Sequence, residues 1–358
     1  MDINAKKIKI LVSIMTALGD NIYATAALGA IRRSYPEAEI TVITWKVHEF
    51  LFARCPYVDK LLLIDFSAKE YRKQLEFVLL LRKEVFDLAI NLDNKTRSLI
   101  YLKLAKIKRI VLVGGMYGRV NLFKKHLLSD DLVMIDSKNQ TVHVIDQYLD
   151  AIQAVTGVRG ERRANIGEIR DEDMAYVKDL IISNKNYSQK KKLVCLCIRD
   201  ENIDIRNWKK AEWINIVRRL TLERNCFCYT IGTKNEYNYA QAVIDAAKVP
   251  AANFCGKTNI NQMLALLKSA NMLIAPCSGT AHMASALNVP TIVIYTNSRI
   301  FTWSLQHDAF LPVSSFEECK CYRNNEDCVD RKCWNNINAS DVLLAFDGLQ
   351  SQLNSFEG

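Results

Sequence analysis

The chain contains 358 residues, 49% of them hydrophobic and 24% charged, which is enough for two domains of ordinary size. No apolar run reaches the roughly 20 residues that a membrane-spanning helix needs, and the N-terminus lacks a signal-peptide pattern, so we expect a cytoplasmic protein. Lys and Arg outnumber Asp and Glu by 48 to 39, a formal charge of +9. This excess favours an anionic partner, either a phosphorylated substrate or an acidic membrane surface. The basic residues are scattered and no nucleic-acid-binding signature accompanies them, so nucleic acid is not expected as a partner.

Short β-branched apolar runs alternate with helical stretches in the N-terminal half, beginning with a run at 8–14 that ends in a polar turn. The next stretch, 21–34, has apolar residues at helical spacing and ends in two arginines, which suit a helix C-terminus. Pro36 then stops the helix. Further strands are predicted over 39–44, 61–64, 88–92 and 110–113. Strands that alternate with helices indicate βαβ units and a parallel sheet.

The alternation weakens between residues 156 and 192, where polar, basic and Gly-containing segments favour a domain junction. It then resumes, with strands predicted over 193–198, 226–231, 272–275 and 291–295 and helices over 210–222, 237–247, 260–269 and 280–287. We therefore expect an α/β protein of two Rossmann-like domains, 1–165 and 166–358. Ligands bind at the carboxyl ends of parallel strands, so the turns that follow the strands are the candidate sites.

The first candidate is the turn Ala17-Leu-Gly-Asp-Asn21, between the first strand and the first helix. Gly19 permits a tight turn or a close approach of a ligand to the backbone, and Asp20 lies where a helix N-terminus stabilises an anion. The structural alternative is that Asp20 only caps the helix. The turn lacks the pattern G-x-G-x-x-G, which disfavours a dinucleotide-dependent dehydrogenase.

The second candidate follows the strand at 272–275 and reads Pro276-Cys-Ser-Gly-Thr-Ala-His282. Small residues and the free amides of a helix start are what a backbone cradle for phosphate needs. His282, in the first turn, could reach the same ligand. The alternative is that Ser278 is an ordinary N-cap and His282 is merely packed.

Eleven cysteines divide into two groups. Seven are dispersed through apolar stretches, where a free thiol behaves as a small hydrophobe. The remaining four are bunched and could bind zinc or iron, although the single residue between the first two is unlike the usual C-x₂-C spacing. Free thiols are the preferred interpretation of these four residues: Cys319, Cys321, Cys328 and Cys333.

Several motifs together resemble the heptosyltransferases of glycosyltransferase family 9, over nearly the whole chain and in the same order. These motifs are Leu18-Gly-Asp20, Ala30-Ile-Arg-Arg-Ser-Tyr-Pro36, Cys55-Pro-Tyr-Val-Asp59, Phe86-Asp-Leu88, His143, the set Arg206, Trp208 and Trp213, and Cys277-Ser-Gly-Thr-Ala-His282.

The resemblance implies the GT-B fold, in which two Rossmann-like domains face a central cleft, with the last helix packed back on the N-terminal domain. It implies an inverting transfer of a sugar from a nucleoside diphosphate donor to a glycolipid or lipopolysaccharide-core acceptor, without a required cofactor, beside the anionic inner membrane. Asp20 would be the general base, in an acceptor-side turn that includes Gly19 and Asn21. The implied donor-binding residues are Arg206, Glu236, Ser278, Gly279, Thr280 and His282.

The chain departs from the family at Cys277, where an Asp usually lies near the donor sugar. A thiol cannot replace two acceptor oxygens. Two interpretations follow: a donor other than heptose, or a catalytically inactive relative that acts as a binding or assembly module. A separate alternative is a GT-B sugar-nucleotide epimerase or hydrolase, which the presence of Asp20 on the acceptor side disfavours.

Overall fold

The computed structural model describes residues 7–114, 122–134, 142–203, 207–295, 300, 304–305, 307–315 and 335–357. The chain divides into two compact units, Met1–Gly167 and Glu168–Gly358, whereas the sequence suggested a boundary after residue 165. Among the described helices, none has the length and apolar character that crossing a bilayer demands.

The N-terminal unit contains a six-stranded sheet whose paired strands are all parallel, in the order β3-β2-β1-β4-β5-β6. Its elements are β1 (Lys9–Ser13), α1 (Leu18–Ser34), β2 (Glu39–Trp45), α2 (Glu49–Phe52), β3 (Lys60–Ile64), α3 (Tyr71–Glu84), β4 (Leu88–Asn91), α4 (Thr96–Leu104), β5 (Arg109–Gly114), α5 (Leu122–Leu127), β6 (Asp131–Met134) and α6 (Val144–Thr156).

The central strands of this sheet are buried along nearly their whole length, as expected where helices cover both faces of a parallel sheet. Helices α3 and α4 pack their apolar sides against one face, with Phe77, Leu81 and Leu102 in the core. The chain builds β1, β2 and β3 outward in one direction and then returns to place β4 on the other side of β1. The carboxyl ends of β1 and β4 therefore form the topological switch point, where open α/β sheets bind ligands.

The C-terminal unit contains a second six-stranded parallel sheet, in the order β12-β11-β10-β7-β8-β9. Its elements are α7 (Asp171–Ile182), β7 (Lys192–Leu196), α8 (Lys210–Glu223), β8 (Cys226–Thr230), α9 (Tyr237–Ala247), β9 (Ala251–Asn253), α10 (Ile260–Lys268), β10 (Met272–Pro276), α11 (Gly279–Ala286), β11 (Thr291–Tyr295), β12 (Phe310–Ser314) and α12 (Ala339–Glu357).

The switch point of the second sheet lies between β7 and β10, since β8 and β9 extend to one side and β11 and β12 to the other. The last helix, α12, contacts β11, β12 and α8 of its own unit. The guanidinium of Arg224, at the end of α8, forms an ion pair with the carboxylate of Asp347 on α12, with 2.7 Å between nitrogen and oxygen. The expected return of this helix to the N-terminal domain stays a prediction. The predicted α/β class with two parallel sheets is confirmed.

The stretch 156–192, where the sequence pattern weakens, contains the boundary between the two units and helix α7. Helix α7 has three acidic residues in its first turn. Its apolar contribution is small, because Val177 and Ile181 are the main apolar residues it buries. The helix is held instead by packing on α10 and by a hydrogen bond from the Tyr176 hydroxyl to the Lys257 carbonyl oxygen, 3.0 Å. The helical pattern in the sequence of α7 is therefore weak, because contacts with neighbouring elements, rather than a wide apolar side, stabilise this helix.

Candidate functional site

The first candidate turn is helical rather than a loop. Helix α1 starts at Leu18, and its N-cap is Ala17, which makes no side-chain capping bond. Asp20 therefore does not cap the helix, and that alternative is wrong. Its side chain is 6% exposed and lies in the first turn, where the helix dipole favours a carboxylate. Gly19 is also helical and is not among the residues with positive φ, so the tight-turn reason for a glycine is wrong as well.

Asn21 is fully buried and is used to build the turn. Its amide nitrogen lies 2.7 Å from the Ala17 carbonyl oxygen and 3.0 Å from the Thr16 hydroxyl. Its amide oxygen lies 3.1 Å from the Thr44 hydroxyl at the end of β2. Asn21 thus fixes the backbone that carries Asp20.

A buried carboxylate that the sequence reasoning missed lies at the same edge of the sheet. Asp93 follows β4 and is fully buried. Its Oδ2 accepts hydrogen bonds from the Ser13 hydroxyl (2.6 Å) and the Met15 amide (3.2 Å), both at the end of β1. Its Oδ1 accepts from the Asn91 side chain, the Lys95 amide and the Ser98 hydroxyl, at 2.5–3.1 Å. Asp93 therefore ties the β1–α1 turn to the β4–α4 turn.

Cations surround this edge. Arg97 and Lys95, at the start of α4, lie over the ring of Trp45 with 5.0 Å and 5.4 Å to its centroid. Lys124 donates to the Asn94 carbonyl oxygen at 2.7 Å. The signal in the sequence was the polar run Asp93-Asn-Lys-Thr-Arg-Ser98, which follows the apolar strand β4.

In the C-terminal unit, the second candidate turn lies at the end of β10 and begins helix α11. Ser278 is the N-cap residue and has extended backbone angles, but its side chain makes no capping bond. Its hydroxyl oxygen is buried and has no hydrogen-bond partner within the described part of the chain. Ser278 is therefore the N-cap by position, as the alternative interpretation had it, but its hydroxyl does not cap the helix.

Backbone donors accompany that hydroxyl. The first intrahelical bond runs from the His282 amide to the Ser278 carbonyl oxygen, 3.2 Å, so the amides of Gly279, Thr280 and Ala281 precede the hydrogen-bonded ladder. Thr280 and His282 are buried, whereas Cys277 is half-exposed and its amide continues the pairing of β10 with β11. A free hydroxyl and unsatisfied amides at a helix start are donors suited to an anion.

Glu236 follows β8, and its carboxylate is engaged by the protein. One oxygen accepts hydrogen bonds from the amide and hydroxyl of Thr233, at 2.6 Å and 3.0 Å. The other lies 3.5 Å from Nε of Arg199, which follows β7. This pair links the ends of two adjacent strands. Arg199 is a cation at the switch point that the sequence reasoning did not single out.

Comparison with known proteins identifies the chain. Residues 75–335 match glycosyltransferase family 9 (heptosyltransferase), which is more than half of the chain. The chain belongs to glycosyltransferase family 9. The resemblance inferred from the sequence is thereby confirmed.

The relatives of this glycosyltransferase include solved structures that share its fold. It is 24% identical over 284 residues to the lipopolysaccharide core heptosyltransferase OpsX of Haemophilus influenzae, covering 78% of this chain and 77% of the relative. A family 9 glycosyltransferase from Veillonella parvula superposes with a TM-score of 0.84 at 16% identity, over 96% of this chain and 98% of that one. E. coli heptosyltransferase WaaC with ADP-2-deoxy-2-fluoro heptose gives 0.70 at 12% identity, over 95% and 99%.

Arg206 of the glycosyltransferase lies outside the described residues, and the segment that follows it is firmly anchored. Trp208 and Trp213 are fully buried and pack edge-to-face with ring centroids 5.2 Å apart. The Trp208 indole donates to the Ile337 carbonyl oxygen at 3.1 Å. These two tryptophans, which carried part of the family resemblance, are core residues that anchor the start of α8.

The seven dispersed cysteines all lie in the described part of the chain, and most of them are buried, as expected for thiols that act as small hydrophobic residues. Six of the dispersed thiols are buried and free, and burial raises the pKa of Cys55 to about 11 and of Cys228 to about 12. Such thiols stay protonated at neutral pH and are unreactive. Within the ranges that the structure describes, no group of His, Cys, Asp and Glu is arranged to hold a metal. The four bunched candidates lie outside these ranges: Cys319, Cys321, Cys328 and Cys333.

Proposed function

We propose that this glycosyltransferase moves a sugar from a nucleoside diphosphate donor to a glycolipid or lipopolysaccharide-core acceptor, with inversion at the anomeric carbon. The observation that carries the proposal is that both candidate turns lie at the switch points of their own sheets, β1 beside β4 and β7 beside β10. Open α/β sheets bind ligands at these points. The heptosyltransferase names of the relatives and the ADP-sugar in the WaaC structure support the same substrates.

The C-terminal unit binds the donor. The amides of Gly279 and Thr280 and the buried hydroxyl of Ser278 donate to the diphosphate oxygens, and Arg206 adds a fixed charge with two parallel donors. Glu236, held by Thr233 and Arg199, contacts the nucleoside, and His282 contacts the same ligand from the first turn of α11. These donors stabilise the negative charge that the departing nucleoside diphosphate acquires.

The N-terminal unit binds the acceptor and activates it. Asp20 takes the proton of the acceptor hydroxyl as the hydroxyl oxygen forms its bond to the anomeric carbon. The bond between that carbon and the diphosphate oxygen breaks, and its electron pair leaves with the nucleoside diphosphate. A single displacement of this kind inverts the anomeric centre. Lys95 and Arg97, lying over Trp45, contact anionic groups of the acceptor.

The acceptor implies where the enzyme works. A lipopolysaccharide-core or other glycolipid acceptor lies in a membrane, and the +9 charge suits the anionic inner leaflet at its cytoplasmic face. The reaction as written needs no cofactor, because the phosphate-side cations and amides stabilise the leaving group. We further propose that Cys277 changes the choice of donor sugar.

A donor-binding experiment tests this function first. Thermal unfolding of the protein is measured with nucleoside diphosphates and a panel of nucleotide sugars, since a bound ligand raises stability by mass action. We expect stabilisation by at least one nucleoside diphosphate, and a smaller shift in the double variant Ser278→Ala/Thr280→Ala. The matched control is Ser351→Ala, an exposed serine on α12. Release of nucleoside diphosphate with a membrane glycolipid extract then tests transfer. If no nucleotide stabilises the protein and no donor releases nucleoside diphosphate, the proposed function is wrong.

A further inference from the structure

A cavity of about 360 Å³ opens at the amino-terminal edge of the C-terminal sheet, beside α12. Lys192, which starts β7, and Met272, which starts β10, both line it. The candidate donor turn follows the carboxyl end of β10, so the cavity lies at the opposite end of the same strand. The cavity is therefore separate from the proposed donor site, and its volume is in the range of small-molecule pockets.

The floor of the cavity is apolar. Val194 and Met272 are register partners on β7 and β10, and both are buried. They belong to the core cluster that also contains Phe346 of α12. Leu353 lies seven residues after Phe346, and so on the same side of the helix, and it packs against this cluster. These side chains present methyl, methylene and aromatic groups to the cavity, so the body of a ligand that fits here is apolar.

The rim of the cavity is polar and carries one positive charge. Alternation along β7 places Lys192 on the same face of the sheet as Val194, and it is the charged member of the described lining. Within the described residues, its ammonium group has no ion-pair or hydrogen-bond partner. Asn271 accepts a hydrogen bond from the Leu193 amide through its side-chain oxygen, at 2.7 Å, which leaves its amino group available to a ligand. The rim therefore offers donors to an anion.

Gln350 is a polar residue on the apolar side of α12. It lies four residues after Phe346 and three before Leu353, so it faces the sheet as they do. It is half-buried, and its amide makes no hydrogen bond with the described residues. An amide above an apolar floor loses free energy unless it gains a partner. Asn354, four residues further along, adds a second amide at the rim. Both amides are suited to the polar head of a ligand.

We propose that this cavity binds an aliphatic carboxylate of medium chain length, with the chain on the apolar floor and the carboxylate on the Lys192 ammonium and the rim amides. Ammonium and amide N–H groups donate to carboxylate oxygens. One cation balances one negative charge, which favours a carboxylate over a phosphate monoester, whose charge at neutral pH is about −1.5 to −2. The volume holds about twelve non-hydrogen atoms at roughly 30 Å³ each, and octanoate is a carboxylate that fits within it.

A ligand-observed NMR titration of the full chain with octanoate tests the site. We expect saturable binding of one octanoate per chain, with a dissociation constant in the millimolar range, from the usual free energy per non-hydrogen atom of a bound ligand. Acetate lacks the chain and 1-octanol lacks the charge, so each should bind about fivefold more weakly or less. A saturating nucleoside diphosphate should leave octanoate binding unchanged, because the donor turn lies at the other end of β10.

Two variants separate the floor from the rim. Leu353→Trp places a larger side chain in the cavity and should abolish octanoate binding. Its control is Leu344→Trp, at a leucine that is 76% exposed on the opposite side of the same helix, which should bind as the wild type does. Lys192→Gln should weaken octanoate binding about fivefold and leave 1-octanol binding unchanged. Its control is Lys178→Gln, at an exposed lysine on α7, which should change neither.

The contrary results are specific. The proposal is overturned if the wild type shows no saturable octanoate binding, or if 1-octanol binds as tightly as octanoate. Competition between octanoate and nucleoside diphosphate overturns it too, because octanoate would then occupy the donor turn. Unchanged octanoate binding in Leu353→Trp has the same consequence, provided that circular dichroism shows a cooperative unfolding transition. If that variant does not fold, Lys192→Gln decides. No step of this test involves sugar transfer, so the proposal and the proposed function fail separately.

Discussion

Replacing Asp93 by Asn should loosen the turn that carries Asp20. Five donors converge on the Asp93 carboxylate, and hydrogen bonds to a charged group contribute roughly 1.5–3 kcal/mol each. An asparagine can keep three of these donors on its oxygen, and its amino group then faces the Ser13 hydroxyl and the Met15 amide. The hydroxyl can rotate to accept, but the Met15 amide is left facing another donor. With the remaining bonds weakened by loss of charge, we expect a destabilisation of about 3 kcal/mol.

Calorimetry and kinetics together measure this effect. A loss of about 3 kcal/mol corresponds to a fall of roughly 6–12 °C in the unfolding temperature of a domain of this size. Turnover should also fall at temperatures where the protein is folded, with little change in nucleotide affinity, because the donor-binding turn lies in the other unit. The control is Asp59→Asn, a half-exposed carboxylate of the same unit that accepts from the Ile40 amide and Arg32, where we expect a smaller loss. Equal unfolding temperatures for Asp93→Asn and the wild type would refute the reasoning.

Four further predictions concern the proposed site. Asp20→Asn should lower turnover by roughly 10² to 10⁴, the usual effect of losing a general base, and leave donor affinity unchanged. Arg206→Ala should weaken the binding of nucleoside diphosphate more than the binding of acceptor, as measured by calorimetry. Cys277 should be alkylated at pH 8 and protected by bound nucleoside diphosphate, whereas Cys228, whose pKa burial raises to about 12, should stay unmodified in the folded protein. Cys277→Asp should shift donor preference towards ADP-heptose, because it restores two oxygen acceptors for sugar hydroxyls.

Each of these predictions has a contrary result. Wild-type turnover in Asp20→Asn would show that Asp20 has no catalytic role and is only a residue of the first helical turn. Equal nucleotide affinity in Arg206→Ala would remove that residue from the donor site. Alkylation of Cys277 at the same rate with and without nucleotide would place the thiol away from the ligand. A wild-type enzyme that already prefers ADP-heptose over the other nucleotide sugars would refute the altered-donor hypothesis, and no release from any donor would favour the inactive-relative interpretation.

The sequence determined the class of fold because its signal is periodic and local. Strands such as 291–295 are short β-branched runs that no helical pattern matches, and helix 237–247 has apolar residues at helical spacing, so both were predicted with the bounds that the structure gives. Alternation of such elements sufficed to predict two parallel sheets. The short edge strands β9 and β12 and the helix α7 were not predicted, because they bury few apolar residues and depend on their neighbours.

The candidate turns were located from the sequence, but the chemistry of their residues was not. Whether Asp20 or Ser278 capped a helix could not be decided from residue type, since Asp and Ser are both good N-caps. The structure decides it, because the cap of α1 is Ala17 and the Ser278 hydroxyl makes no capping bond. Whether a residue caps a helix depends on the exact residue at which the helix starts. That exact start is the feature that a sequence pattern predicts least well.

The Asp93 network and the choice of which α3 residues are buried were decided by tertiary structure alone. Asp93 meets Ser13 across 80 residues of chain only because β4 returns to lie beside β1, a fact of strand order that no local pattern contains. In the same way, the leucines of α3 look like core residues in the sequence. The helix can bury only one of its sides against the sheet, so Leu75 and Leu79 are left outside while Phe77 and Leu81 are covered. Composition sets how many apolar residues a helix has, and packing geometry sets which of them reach the core.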